Sequence, residues 1–266
     1  MQLLSNKSVQ FLFRSDFEQA VLKSAYSYIN NLHDPLRANS FALVIRELIR
    51  IAMARIAPDI EIMKTEWFLG DNGKVSRKER YRFAVSGHIT DDLIKKNPEL
   101  NTASEINDLV DAVNKLSKYA HISNGTYNIS DEEVAKFLDE IESAVIDYAE
   151  NLEHIQERIQ EKALELTQEA LVDEITNSIP HELDSLSRHT IVENAFIEEM
   201  AEIDLFAQSQ VVSGSGYTEL ELNYGSMKDG HSCSDRYPLT FHAVINIGSL
   251  EPMINKIEVD TSSFYE

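Results

Sequence analysis

DEEVAKFLDEIESAVIDYAENLEHIQERIQEKALELTQEALVDEIT, residues 131–176, holds no Pro or Gly, and the first of either beyond it is Pro180. Ser130 and Glu133 stand at its start in the S-x-x-E spacing of a capping box. Leu138, Ile141, Val145, Tyr148, Leu152, Ile155, Ile159, Ala163, Leu166 and Ala170 recur in steps of four and three with one slip, which is helical spacing. One helix over this stretch would be about 69 Å long at 1.5 Å per residue. That exceeds a small domain, so its far half must leave the first bundle. Two partners suit it: a coiled-coil seam with a second copy, or the C-terminal part of the same chain. The stretch carries fifteen Asp/Glu against Lys136, Arg158 and Lys162, a net charge of −12.

Upstream, Phe17, Val21, Ala25, Tyr28, Ile29 and Leu32 predict a helix over 14–32, broken by His33-Asp34-Pro35. A second helix over 39–57 has Asn39 or Ser40 as its N-cap and Pro58 as its stop. It is apolar apart from Arg46, Glu47, Arg50 and Arg55, so most of it should be buried. A third starts at Thr102, with Glu105 completing a second capping box, and ends near His121 before the Asn124-Gly125 turn. Residues 58–101 show no clean period. GDNGK at 70–74 signals a turn, and YRFAVSG at 81–87 suits a helix or a strand.

Downstream the texture changes. Residues 190–200 read as one more helix. EIDLFAQSQVVSGSGYTELELNYGS then reads as strands separated by a Gly-Ser-Gly turn. Thr218, Leu220, Leu222 and Tyr224 alternate with Glu219, Glu221 and Asn223, the period of a half-buried strand. Two more strands lie at 239–248 and 254–262. The expected fold is α+β: a helical bundle over 1–130 with an insertion at about 58–101, a long connecting helix over 131–180, and a small antiparallel β domain over 185–266.

The chain of 266 residues is 43% hydrophobic and 26% charged, enough for a substantial core in one or two domains. No apolar run approaches the roughly 20 residues of a membrane-spanning helix. The N-terminal residues lack the basic start and long apolar core of a signal peptide. Together these predict a cytoplasmic protein of bacterial type with no membrane contact. The single Cys233 excludes an internal disulfide framework and a Cys-rich zinc module. Motifs for P-loop, Rossmann, zincin and α/β-hydrolase chemistry are absent.

A net charge of −21 is the wrong sign for coating nucleic acid. The basic segment KVSRKERYR at 74–82 is the exception: Lys74, Arg77, Lys78, Arg80 and Arg82 face only Glu79. It could receive phosphate, or its charges could pair with the acidic helix.

A helical bundle whose third helix ends on a histidine, beside a long capped helix, resembles the HEPN superfamily. Many of its members are metal-independent RNases with an Arg four to six residues before a His. The resemblance implies a His that moves protons and a cation that stabilises the phosphorane. It also implies a homodimer with paired motifs. Here the catalytic candidates are His121, Lys115, Lys118 and Arg46. No Arg stands four to six residues before His121, and Lys115 offers a point charge in place of a planar fork. Arg46, or Arg50 one turn later, either answers an acid within the bundle or comes alongside His121.

A second resemblance covers more of the chain. IRELIRIAMARIAPDIEI (45–62), Trp67 and RKERYRF (77–83), with LELNYGSMKDGHSCSDRYPLTFHAVI (220–245) and VDTSSFYE (259–266), are similar to a family of predicted nucleases associated with prokaryotic PIWI proteins. That implies bacterial defence, with recognition and cleavage of nucleic acid. It equally accommodates a non-catalytic adaptor whose acidic helix binds a protein partner such as an Argonaute-like protein. No cofactor is expected, and no metal ligand set is specific. The nearest to one is Asp229, His231, Asp235 and His242, which could gather around Mg²⁺, although 223–238 also reads as a polar hairpin loop.

Overall fold

The structure, a computed structural model, describes residues 2–70, 72–225 and 229–265. It is α+β, with two compact units: Met1–Gly87 with Asn97–Gln156, and His88–Lys96 with Glu157–Glu266. Helix formers and caps dictate the first. It contains α1 (Gln2–Ser5), α2 (Lys7–Leu12), α3 (Asp16–Ile29), α4 (Arg37–Ile56), α5 (Asp59–Ile62) and α6 (Arg77–Ser86). After α7 (Asp91–Lys96) of the second unit come a 3-10 turn at Pro98–Leu100 and α8 (Ala103–Ala120). Helix α9 (Asp131–Asn177) then begins in the first unit and ends in the second.

Three capping boxes start helices here. Ser15 and Glu18 open α3, Ser76 and Glu79 open α6, and Ser130 and Glu133 open α9. The 58–101 stretch, which shows no period in sequence, is thus largely helical, and 81–86 is helix rather than strand. The box expected at Thr102 does not form. Ser15 and Ser76 are extended at ψ 149° and 161°, which aims the hydroxyl at the third N–H. Thr102 has ψ 16°, and Asn101 Oδ1 accepts from Ala103 N–H instead, at 3.0 Å.

The core of this unit interleaves Leu22, Ala25 and Ile29 of α3 with Phe41, Ile45, Leu48 and Ala52 of α4. Leu109, Val113 and Leu116 of α8 and Phe137, Ile141 and Val145 of α9 complete it. Tyr26 and Phe137 meet Phe41 edge-on, at ring distances of 5.8 and 6.1 Å. Asn39 Nδ2 donates to Tyr119 O at 2.8 Å, which brings the start of α4 to the end of α8 and makes the two antiparallel. Two carboxylates are enclosed. Glu142 accepts from Gln2 N–H at 3.1 Å and from the Tyr26 hydroxyl; burial, then Glu142, hold that phenol protonated far above its usual range. Glu18, 1% exposed, faces Arg55 at 3.2 Å, and Arg55 also donates to Leu12 O at 2.8 Å.

In the second unit four strands form an antiparallel meander in the order β1-β2-β3-β4. They are β1 (His189–Met200), β2 (Ser209–Tyr224), β3 (His231–Asn246) and β4 (Pro252–Val259). One face is apolar and buried, with Val192 and Ala195 of β1, Leu220 and Leu222 of β2, and Leu239, Phe241, Ala243 and Ile245 of β3. The buried row of α9 in this unit is Ile159, Ala163, Thr167, Leu171 and Ile175, all four apart, not the expected Leu166 and Ala170. Along the β1 edge, Gln168 accepts from Ile197 N–H at 2.7 Å and donates to Ala195 O, and Gln160 accepts from Ile203 N–H at 2.9 Å. The short 88–96 segment is tied in by Thr90, whose N–H and hydroxyl both reach Gly248 O at 3.0 Å.

Three expectations are corrected here. Residues 190–200 are strand, not helix. The register shift at 192/194 puts Val192 and Ala195 on one face three residues apart, and that bulged spacing imitates a helical period. The 214–216 stretch is not a turn but the middle of β2. Its glycines are required by close approach: a Cβ on Gly216 would lie 1.8 Å from Phe196 O, and one on Gly214 2.4 Å from the Phe241 ring. Residues 231–238 are not loop but the first half of β3.

Two stability measurements check these assignments. Gly216→Ala should lower unfolding free energy by at least about 3 kcal/mol. Gly125→Ala, where the added Cβ meets nothing within 4 Å, should stay within about 0.5 kcal/mol of wild type. For Glu18, burial pushes the carboxyl pKa up, but bonds from Ser15 and Arg55 together hold it below 4.5. A depressed folded pKa stabilises above the unfolded value and is lost as pH falls. Arg55→Leu should therefore cost about 3 kcal/mol in denaturant melts at pH 7, and its penalty should shrink steadily below pH about 4.5.

Candidate active-site cleft

At the end of α8, His121 is the C-cap residue with ψ 126°, its N–H reaching Lys118 O at 3.3 Å. Its carbonyl accepts from Thr126 Oγ1 at 2.8 Å, and the residue is exposed. Lys115 points elsewhere: it pairs with Glu140 of α9 in a recess walled by Asp108, Asp111, Asp139 and Asp147. Partial burial, then Lys136 and Lys118, pull the Lys115 pKa below the usual lysine value. Arg46 contacts its own neighbour Glu47 at 3.1 Å, and Arg50 reaches the same carboxylate at 2.7 Å. With Asn39 level with Tyr119, Arg46 lies seven residues, about 10 Å, up α4 and away from His121. The structure thus groups Lys115 with Lys118 and Lys136 and sets Arg46 apart from His121.

The basic segment is distributed around α6. Arg77 donates to Asn114 Oδ1 at 3.1 Å, and Arg80 holds Ala57 O at 2.7 Å and Asp59. Arg82 lies over the Trp67 ring at 4.2 Å. Lys74 and Lys78 are exposed. Three of the five cations therefore fasten α6 to its surroundings.

Asp229, His231, Asp235 and His242 are not gathered. His231 and His242 are eleven residues apart on one strand, about 36 Å. Asp235 instead accepts from the Tyr237 hydroxyl at 2.8 Å. Among the described residues, no three His, Cys, Asp or Glu side chains are placed to share a metal ion.

The polar groups that do converge lie at the β2–β3 hairpin end of the sheet, around a cleft of about 760 Å³. Ser187 and Thr190 hydroxyls meet at 3.0 Å, and Thr190 donates to Leu183 O at 3.1 Å, fixing the chain as it enters β1. That entry presents Arg188 and His189. His189 pairs with Asn223, and Asn223 with Ser232, so the three share a row, with Glu221 diagonal to His189. In the neighbouring row Tyr224 faces His231. Burial, then Cys233 and Asp235, raise the Tyr224 phenol pKa. One Arg188 N–H reaches Gly225 O at 3.3 Å, and a guanidinium has further donors for an anion. Arg188, His189, Glu221, Asn223, Tyr224 and His231 all line the cleft. The guanidinium, the His189 imidazole and the Glu221 carboxylate border it from β1 and β2; His231 borders it from β3, in the row of Tyr224, which alternates in face with the His189–Asn223–Ser232 row. Arg188 and His189 carry no sequence motif; the available signal is a basic pair, Arg188-His189, at the start of β1 and a histidine, His231, at the start of β3, with β2 between them.

Two family profiles match the chain, over residues 10–145 and 152–265, and each describes a predicted pPIWI-associating nuclease. The chain belongs to this family. No curated protein and no solved structure matches it. The first family segment ends and the second begins within α9, so the cleft lies wholly in the second. The description pPIWI-associating points to a protein partner. No helix among the described residues is long and apolar enough to cross a membrane.

The cations of α6 can be sorted by experiment. Arg82→Ala should cost about 1–2 kcal/mol and shift the emission of Trp67, the one tryptophan of the chain. Lys78→Ala should leave both the melting curve and the fluorescence unchanged.

Proposed function

We propose that this member of the pPIWI-associating family is a defence nuclease that cuts RNA, without needing a metal, in the Arg188–His189–His231 cleft. The observation that carries the reading is a single cleft bordered by Arg188, His189 and His231 in a chain that is otherwise strongly acidic. In RNA the 2′-hydroxyl is an internal nucleophile. One imidazole takes its proton as the 2′-oxygen bonds to phosphorus. The other gives a proton to the 5′-oxygen as the P–O5′ bond breaks. Arg188 stabilises the charge on the phosphorane, and Asn223 and Ser232 hold the non-reacting phosphate oxygens. The products are a 2′,3′-cyclic phosphate and a free 5′-hydroxyl.

A second reading keeps the same family role without cutting. The acidic α9 would dock a basic surface of the PIWI-like partner, and the −12 charge of 131–176 favours this as an association surface. The two roles are compatible in one protein.

Purified protein given single-stranded RNA and DNA of one sequence provides the test. RNA should yield cyclic-phosphate ends, DNA should stay intact, and EDTA should have no effect. The rate should rise and then fall with pH, because one imidazole must be neutral and the other protonated. His189→Ala and His231→Ala should each slow cutting by about 10² or more. Wild-type rates in both variants would refute the cleft. Loss of cutting in His121→Ala alone would move the site to the end of α8, as the HEPN resemblance implies.

A further inference from the structure

The sheet of the second unit has two edges, and the chain treats them differently. At the β1 edge, the Gln168 amide bonds to Ala195 O and Ile197 N–H as a neighbouring strand would. At the other edge, all eight residues of β4 keep solvent exposure, whereas β1, β2 and β3 each bury an apolar row. Pro252, Ile254, Ile257 and Val259, which pair with the buried Ile245, Ala243, Phe241 and Leu239, extend the apolar face to this edge and remain half-exposed there. An exposed strand edge offers N–H and C=O groups to another strand.

We propose that β4 pairs with β4 of a second copy of this chain, antiparallel about a two-fold axis at Ile257, to form a continuous eight-stranded sheet. The charges select this occupant. Lys256 and Glu258 flank Ile257 on the open face, opposite the exposed His242 and Thr240, and now pair with each other at 2.6 Å. A two-fold at Ile257 sets Lys256 of each copy against Glu258 of the other, so the edge is self-complementary in charge. The same axis brings the two Ile257 side chains together on the apolar face. A lysine usually protects an edge by leaving the incoming strand an unmatched charge; this one is matched by the strand's own copy. The proposal is independent of the cleft's chemistry.

Sedimentation of the full chain should show a species of twice 30.2 kDa that dissociates on dilution. Lys256→Glu and Glu258→Lys each place like charges across the two-fold and should weaken dimerisation about tenfold or more. Mixing the two variants restores opposite charges at both positions, so a heterodimer should form at wild-type affinity. The double swap, Lys256→Glu with Glu258→Lys, should also dimerise. Circular dichroism melts should show each variant folded as wild type. A wild-type chain that stays monomeric throughout overturns the proposal. So does a dimer indifferent to the single variants, or a mixture no tighter than either variant alone.

Discussion

Everything in this chain hangs on the unbroken backbone hydrogen bonding of α9. Forty-seven residues without Gly or Pro, opened by the Ser130–Glu133 box, give one helix that supplies apolar side chains to both units. In the first, Phe137, Ile141, Val145 and Tyr148 complete a bundle core; in the second, Ala163, Leu171 and Ile175 belong to the core of the sheet unit. Its polar side chains matter equally. Gln160 and Gln168 satisfy backbone groups beside β1 that would otherwise lack partners. A proline in the middle of this helix would remove a bond from the ladder and damage both cores at once.

What could be read from sequence is what depends on neighbours a few residues away. The S-x-x-E box at 130 and the helical stripe of α4 are local, and so is the alternation of 218–224. What could not be read depends on distant backbone. Thr102 has the right partner at the right spacing, but its ψ is 16°, its hydroxyl makes no capping bond, and Asn101 takes the Ala103 N–H instead. Val192 and Ala195 share a face only because β1 carries a bulge at 192/194 against β2. Gly214 and Gly216 look like a turn because glycine favours turns, yet here the missing Cβ admits a crossing neighbour. The candidate site follows the same division. Lys115, Lys118 and His121 are neighbours in sequence, yet Lys115 turns to Glu140 of α9, whereas Arg188, His189 and His231 reach one end of the sheet only through the pairing of β1 and β3 with β2.

Charge shapes how such a chain can meet RNA. Fifteen acids against three cations on 131–176 repel phosphate at long range. Arg55, Arg80 and Arg82 are engaged in holding helices, so they add little outward field. Residues 185–266 contain four Lys/Arg, and among the described residues Arg188 is the one that lines the cleft. For the proposed nuclease, diffuse electrostatics therefore adds little affinity, and capture would rely on local contacts or on a partner that carries the nucleic acid. The pPIWI association in the family description fits the second route.

The cleft and the β4 edge occupy the same sheet without competing. β4 pairs with Leu239 to Ile245, and the cleft opens at His231, eight residues or about 26 Å further along β3. A two-fold at Ile257 would therefore double the sheet while leaving both clefts open, with their long hairpin ends free of the join. Each copy would bring its own Arg188, His189 and His231, so each cleft is complete within one chain. Dimerisation on this edge would act by joining two complete sites into one assembly, raising the effective concentration of the second site for a strand held by the first.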